Sequence, residues 1–178
     1  MTNASLSAQP DAIKAAAARQ RGWDQGDIEV GRVEKLDRGG CRFYRASNPA
    51  RIDARPVEFA FLPDGTLVGG DREQAAARAG ALLQACGSDA PADWWAQVVS
   101  RFAGTNGVVV DENAPSAIRR LRKAGIEDHA PSLRRDGDST VLTYFSNDYE
   151  LSRTREVTAT LDTQGRLSVE SKEIGGAG

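Results

Sequence analysis

The sequence predicts an α+β fold of two α-β-β-β units, each with a curled antiparallel sheet, joined by central helices. Three observations lead there. Apolar residues recur at helical spacing near both ends and through the middle; apolar and polar residues alternate with period two in the runs that follow; and glycine-containing turns separate those runs. A helix laid on one side of an antiparallel sheet satisfies both periodicities at once. The expected organisation is a flexible start over 1–10, a first unit over 11–70, connecting helices over 71–112, a second unit over 113–174 and a flexible tail over 175–178.

The first helix is expected over 11–21, where Ile13, Ala16, Ala17 and Gln20 share a face and Gly22 suits a left-handed stop. A strand over 27–37 carries Ile28, Val30, Val33 and Leu36, with a phase break at Gly31-Arg32 that fits a bulge. Strands over 41–47 and 56–62 come next, the second alternating Val57, Phe59 and Phe61. Pro63-Asp64-Gly65 then makes a turn into a short return strand over 66–68. Asp71 with Gln74 has the pattern of a capping box. It precedes a helical stripe of Ala75, Ala79, Leu82, Leu83 and Cys86 that Gly87 ends. Pro91 suits the first turn of another helix, with Trp95, Val98, Val99 and Phe102 on one face. A short apolar strand or buried linker is expected over 108–110, and a third helical segment over 116–124 turns Ile118 and Leu121 inward. Strands over 140–146, 156–162 and 166–172 close the chain around a turn at Thr163-Gln164-Gly165.

The two ends echo one another. Tyr44 and Tyr144, Arg55 and Arg155, Val57 and Val157, Gly65 and Gly165, and Leu67 and Leu167 are identical at an offset of one hundred positions. Chance gives roughly two such identities in a window of this size, so the pattern is compatible with a duplication and equally with two hairpins of similar alternation.

Ala12-Ile13-x-x-Ala16 on a helix, Gly22, a strand through Val30 and then Tyr44-Arg45-Ala46 resemble a PepSY-type module. More broadly, each end is similar to the cystatin-like arrangement of helix and sheet. The resemblance implies an inhibitory or interaction role, and PepSY-like modules usually sit outside the cytoplasm. The Pro63-Asp64-Gly65 turn departs from that family's usual ending.

Composition narrows the function classes. The 178 residues are 40% hydrophobic and 27% charged with a net charge of −2, enough for a real core and without a global attraction to nucleic acid or anionic membranes. No run approaches the roughly 18 apolar residues of a membrane span, and the start lacks the basic-then-apolar pattern of a secretory signal. Two widely separated cysteines make a poor disulfide framework, so Cys41 and Cys86 are expected to be reduced and packed, in a cytoplasmic protein.

Chemistry-bearing constellations are sparse. Cys41, His129 and Asp136 or Asp138 supply the residue types of a cysteine nucleophile, but a strand cysteine and a loop histidine read more plainly as packing and solvation. One histidine and no paired-cysteine motif leave no zinc site, and an oxygen-only set from Asp136, Asp138 and Asp148 lacks calcium-loop spacing. Asp148 and Glu150 would share a side if extended. Gly69-Gly70 before Asp71 lacks the further glycine and lysine of a phosphate cradle. No catalytic residue, metal or cofactor is therefore expected.

Trp94, beside the core-facing Trp95, and the basic residues Arg119 and Arg122, in a cluster with Arg120 and Lys123, are the candidate contacts for a protein partner. Nucleic acid is disfavoured because no aromatics interleave with those charges. The reading is a non-enzymatic binding or regulatory protein, with a bacterial immunity or inhibitor protein as one form. The alternative is a small-ligand binder or enzyme with a pocket in a curled sheet, lined by Tyr44, Tyr144 and Phe145.

Overall fold

The computed structural model describes residues 4–51, 54–69, 74–105 and 107–174, with side chains from Gln9 onward. The fold is α+β, with four α-helices and two antiparallel sheets among the described residues. The chain divides into two compact units, Met1–Glu73 and Gln74–Gly178.

In the first unit, helix α1 (Ala4–Arg21) precedes a four-stranded meander of β1 (Glu29–Arg32), β2 (Arg42–Ser47), β3 (Val57–Phe61) and β4 (Leu67–Gly69). The helix starts well ahead of the expected position 11. Its face of Ile13, Ala16 and Ala17 buries against Tyr44, Ala46, Val57, Phe59 and Phe61 from the sheet, with Trp23 and Ile28 from the link closing the cluster. The alternation is what permits this. Tyr44 stands opposite Phe59 and Ala46 opposite Val57, so all four side chains emerge on one face. Tyr44 and Phe61 meet edge to face, ring centroids 6.0 Å apart.

The expected strand over 27–37 stops at Arg32. Glu34–Leu36 form a turn of 3-10 helix instead of continuing past a bulge. The reason is local: the Asp37 carboxylate accepts hydrogen bonds from the Phe43 amide at 2.9 Å and from Arg32 Nε at 2.6 Å, pinning the turn. Gly39 and Gly40, both at positive φ, then reverse the chain into β2, as a two-residue hairpin loop requires.

In the second unit, α2 (Ala75–Cys86), α3 (Ala92–Phe102), the short β5 (Val108–Val109) and α4 (Pro115–Lys123) precede a meander of β6 (Ser132–Asp136), β7 (Ser139–Asp148), β8 (Arg153–Leu161) and β9 (Leu167–Glu173). Strands β5 and β6 share one edge of β7: β6 pairs with its first half, and β5 pairs Val108 with Asn147 and Val109 with Ser146. Helices α2 and α3 pack on one face of this sheet, while α4 buries Ala117 and Leu121 with Phe145 on the other. The α2 and α3 face buries Leu142, Tyr144, Val157, Ala159 and Leu161.

Strand β6 was not expected, because Leu133 is its single large apolar residue and its side chains are largely exposed. Its legible mark is the turn. Asp136 pairs with Ser139 across Gly137, which is at positive φ. The capping box expected at Asp71 involves a residue outside the described ones, and Gln74 makes no side-chain cap hydrogen bond. Gly70 and 175–178 also lie outside them.

The hairpins that end the two units agree in register at the hundred-residue offset. Phe61 pairs with Leu67 as Leu161 does with Leu167, and Ala60 with Val68 as Thr160 does with Ser168. Gly65 and Gly165 are both at positive φ, and their amides donate to the carbonyls of Leu62 and Asp162. The agreement stops one strand earlier: Val57 faces Ala46, whereas Val157 faces Tyr144.

Candidate functional site

The end of the five-stranded sheet where β7 passes into β8 gathers the features that a plain core does not explain. Three large apolar side chains are exposed there, Val108 (49%), Tyr149 (58%) and Leu151 (53%). Val108 belongs to the edge strand paired at Asn147, and Tyr149 and Leu151 sit on the β7–β8 connection. That connection is held rather than loose. Asp148, 6% exposed, accepts hydrogen bonds from the amides of Glu150 (3.1 Å) and Leu151 (3.2 Å). Ser152 adopts φ 52°, a left-handed conformation uncommon for a residue with a side chain.

Behind this tip lies a buried polar network on the α4 face. Arg120 Nη1 donates to Asn147 Oδ1 at 3.2 Å and to Thr154 Oγ1 at 3.3 Å, and the Thr154 hydroxyl is 3.4 Å from Asn147 Oδ1. Arg120 is thus engaged inward, while Arg119, Arg122 and Lys123 are exposed. Three of the four cluster charges therefore follow one side of α4 at spacings of three and four, as a partial stripe.

On the opposite face, the loop after α3 meets β7, β8 and β9 around a cavity of about 230 Å³, lined by Thr105, Ser146, Arg155, Val157, Val169 and Ser171 with Ala103 and Gly104. The Ser146 side chain is buried, and its hydroxyl has no hydrogen-bond partner. Tyr144 lies beside this region, fully buried, with its phenol oxygen 3.3 Å from Thr105 Oγ1. Burial pushes its ionisation up from 10 to about 12, with the Thr105 contact acting weakly the other way.

That shift has a consequence for alkaline stability. The folded protein holds the Tyr144 proton after the unfolded chain has released it, so between about pH 10 and 12 the native state binds more protons and loses stability as pH rises. The expected slope is at most about 1.4 kcal/mol per pH unit from this group. Urea melts across that range should show a shallower decline for Tyr144→Phe than for the parent; identical slopes would remove Tyr144 as the cause.

A second cavity, of about 410 Å³, lies between the α2–α3 connection and the two hairpin turns of the same sheet. Trp95, Arg134, Arg135, Asp138, Asp162 and Gln84 are among its lining residues. Its charges are partly committed already: Asp162 holds Arg166 at 2.7 Å, and Arg134 lies 3.2 Å from Asp136.

The residues singled out from sequence fall unevenly. Trp94 is buried at 6% exposure, like Trp95, because α3 is covered around most of its circumference. A side chain so covered is not a surface anchor. Arg119 and Arg122 are exposed, as partner contacts would need. Tyr44 packs in the first unit and donates its hydroxyl to Gln9 Oε1 at 2.8 Å. Tyr144 and Phe145 are consecutive strand residues and emerge on opposite faces of β7, so the structure does not bring them into one pocket.

Cys41 and Cys86 are both disulfide-bonded, which corrects the expectation of reduced thiols. Cys41 is therefore no nucleophile for His129 to activate. His129 sits in the loop before β6 with its Nδ1 3.4 Å from the Glu127 carbonyl oxygen. Asp148 ends β7 and Glu150 lies in the turn that follows, so the extended run that would put both carboxylates on one side is broken between them. No group of acidic, histidine and cysteine residues among those described could hold a metal ion.

Ser146 was not singled out from sequence. The signal was present: positions 140, 142, 144 and 146 share the inward parity of β7, and 146 places a hydroxyl there. No helix among the described residues is long and apolar enough to cross a membrane. No family, curated protein or solved structure was found to match this chain.

Proposed function

We propose that this chain is a non-enzymatic binding or regulatory protein that engages a protein partner through the β7–β8 end of its larger sheet. The observation that carries the reading is the exposed apolar group of Val108, Tyr149 and Leu151, presented on a connection fixed by Asp148. Because each is about half exposed, leaving them in water forgoes burial free energy of about 1 kcal/mol each, which a partner's surface would recover. A tyrosine on a pre-ordered turn also orders at small entropic cost, and tyrosines are enriched among the residues that dominate interfaces. The exposed Arg119 and Arg122 on α4 would supply a charged margin and bias the choice toward an acidic partner.

A bacterial immunity or inhibitor protein is one concrete form of this reading. The resemblance to PepSY-type and cystatin-like modules supports it, as does the repeated order of a helix followed by an antiparallel meander, which we read as an internal repeat. The cytoplasmic expectation rested on the absence of a secretory pattern and a membrane span, with two reduced thiols in agreement. With both cysteines in disulfide bonding, an oxidising compartment suits the chain better.

The test is site-specific photo-crosslinking in the native host. A photoreactive phenylalanine analogue at position 149 is expected to yield a discrete adduct that Leu151→Asp abolishes, while the same analogue at position 78 on α2 yields none. Adducts of equal intensity at both positions, or an adduct indifferent to Leu151→Asp, would sink the assignment of this surface.

A further inference from the structure

We infer that the cavity beside Ser146 is a binding site for a carboxylate carrying a short alkyl segment, a role that goes beyond partner docking at the sheet's end. Five of its lining residues come from one face of the sheet. Ser146 pairs with Arg155 and Val157 with Ser171, and Val169 follows at the same parity on β9. The loop from Ala103 to Thr105 closes the opposite side.

Three features fix the ligand's chemistry. The first is the orphaned hydroxyl. Ser146 is 1% exposed, and its Oγ finds no partner, although buried hydroxyls are nearly always satisfied. The oxygen therefore lies where a ligand acceptor would complete it. The second is charge. Arg155 is the charged residue among those lining the cavity; its cross-strand neighbour Glu173 pairs with Arg153 at 3.7 Å, which leaves the Arg155 guanidinium as a planar donor fork matched to a carboxylate. The third is the remaining wall. Ala103, Val157 and Val169 are apolar and suit a short hydrocarbon segment, while Ser171 at the rim offers one more hydroxyl.

Thr105 plays a different part. Its hydroxyl lies 3.3 Å from the Ser100 carbonyl oxygen and 3.3 Å from the Tyr144 phenol, so it already has two partners within the protein. Thr105 shapes the cavity and ties the loop to the core; Ser146 and Arg155 are left to meet the ligand.

The carboxylate could be free or the acidic side chain of a protein, and the experiment separates these sources. The full-length, isotope-labelled chain is titrated with sodium butyrate up to about 10 mM at constant ionic strength, and amide shifts are followed by NMR. Saturable shifts at Gly104, Thr105, Ser146, Arg155 and Ser171 are expected. Arg155→Gln should weaken binding at least tenfold. Ser146→Ala should weaken it severalfold while leaving the melting temperature of the unliganded protein unchanged or higher, because it removes an unpartnered buried hydroxyl. N-acetylglutamate amide binding more tightly than butyrate would assign the source to a protein side chain, and the reverse order to a free carboxylate.

Absence of saturable shifts would overturn the inference, as would an equal response to n-butanol or to inorganic phosphate. Ser146→Ala that lowers the melting temperature and leaves butyrate binding intact would mark the hydroxyl as structural and overturn its role. Because Arg155 is only half-buried, Arg155→Gln is expected to fold, and its unliganded spectrum checks this directly.

Discussion

Phe59→Ala should destabilise the first unit by about 3–5 kcal/mol, the largest effect expected of a single side-chain truncation there. Phe59 is 1% exposed and stands at the centre of the cluster in which α1 meets the sheet. It faces Tyr44 across β2 and β3, and its ring and backbone lie against Gly69, where even a methyl group would approach its Cα to 2.9 Å. A site hemmed in by backbone on one side and a helix on the other collapses poorly around a void, so the cavity cost adds to the lost transfer free energy. Urea denaturation followed by far-ultraviolet circular dichroism should show a lower midpoint with an unchanged slope. A loss below about 1 kcal/mol would mean that this cluster does not hold the unit together.

Gly80→Val should cost about 3 kcal/mol, and the smaller Gly80→Ala should also destabilise, against the usual sign. In an exposed helix interior, replacing glycine with alanine stabilises by roughly 1 kcal/mol through backbone entropy. Here α2 lies directly on the turn between β8 and β9. A Cβ at position 80 would collide with the Gly165 carbonyl oxygen and press on Leu167 Cβ at 3.3 Å. Both neighbours are constrained. Gly165 is at positive φ within a turn whose Asp162 carboxylate accepts the amides of Gln164 and Arg166 at 2.9 Å. The helix must move away, uncovering Leu82 and Leu83, which are at most 1% exposed. Thermal melts of the two variants would show the order parent, alanine, valine. An alanine variant more stable than the parent would refute this account of the close approach.

Much of this architecture was legible because burial imposes a period. Where one face of an element is covered, every second residue of a strand or every third to fourth of a helix must be apolar, and the alternation of Val57, Phe59 and Phe61 or of Val157, Ala159 and Leu161 follows directly. The turns at Gly65 and Gly165 were legible for a different reason, since positive φ selects glycine. Strand β6 escaped because an edge strand covered only at Leu133 carries little such constraint, and its pairing comes from backbone groups common to every residue. The end of β1 escaped because a side chain, Asp37, outcompetes the ladder for the chain's direction.

The sequence by itself determined the class of fold, the order of most elements and the absence of any familiar catalytic motif, since these depend on local periodicity and residue type. Only tertiary structure decided what lies beside what. Trp94 buried, Tyr144 and Phe145 turned to opposite faces, Arg120 drawn into a polar network and Ser146 set without a partner beside Arg155 are all products of register and helix docking. Register fixes a side chain's face, and docking fixes what covers it; both arise from contacts between residues distant in the chain, to which local periodicity is blind.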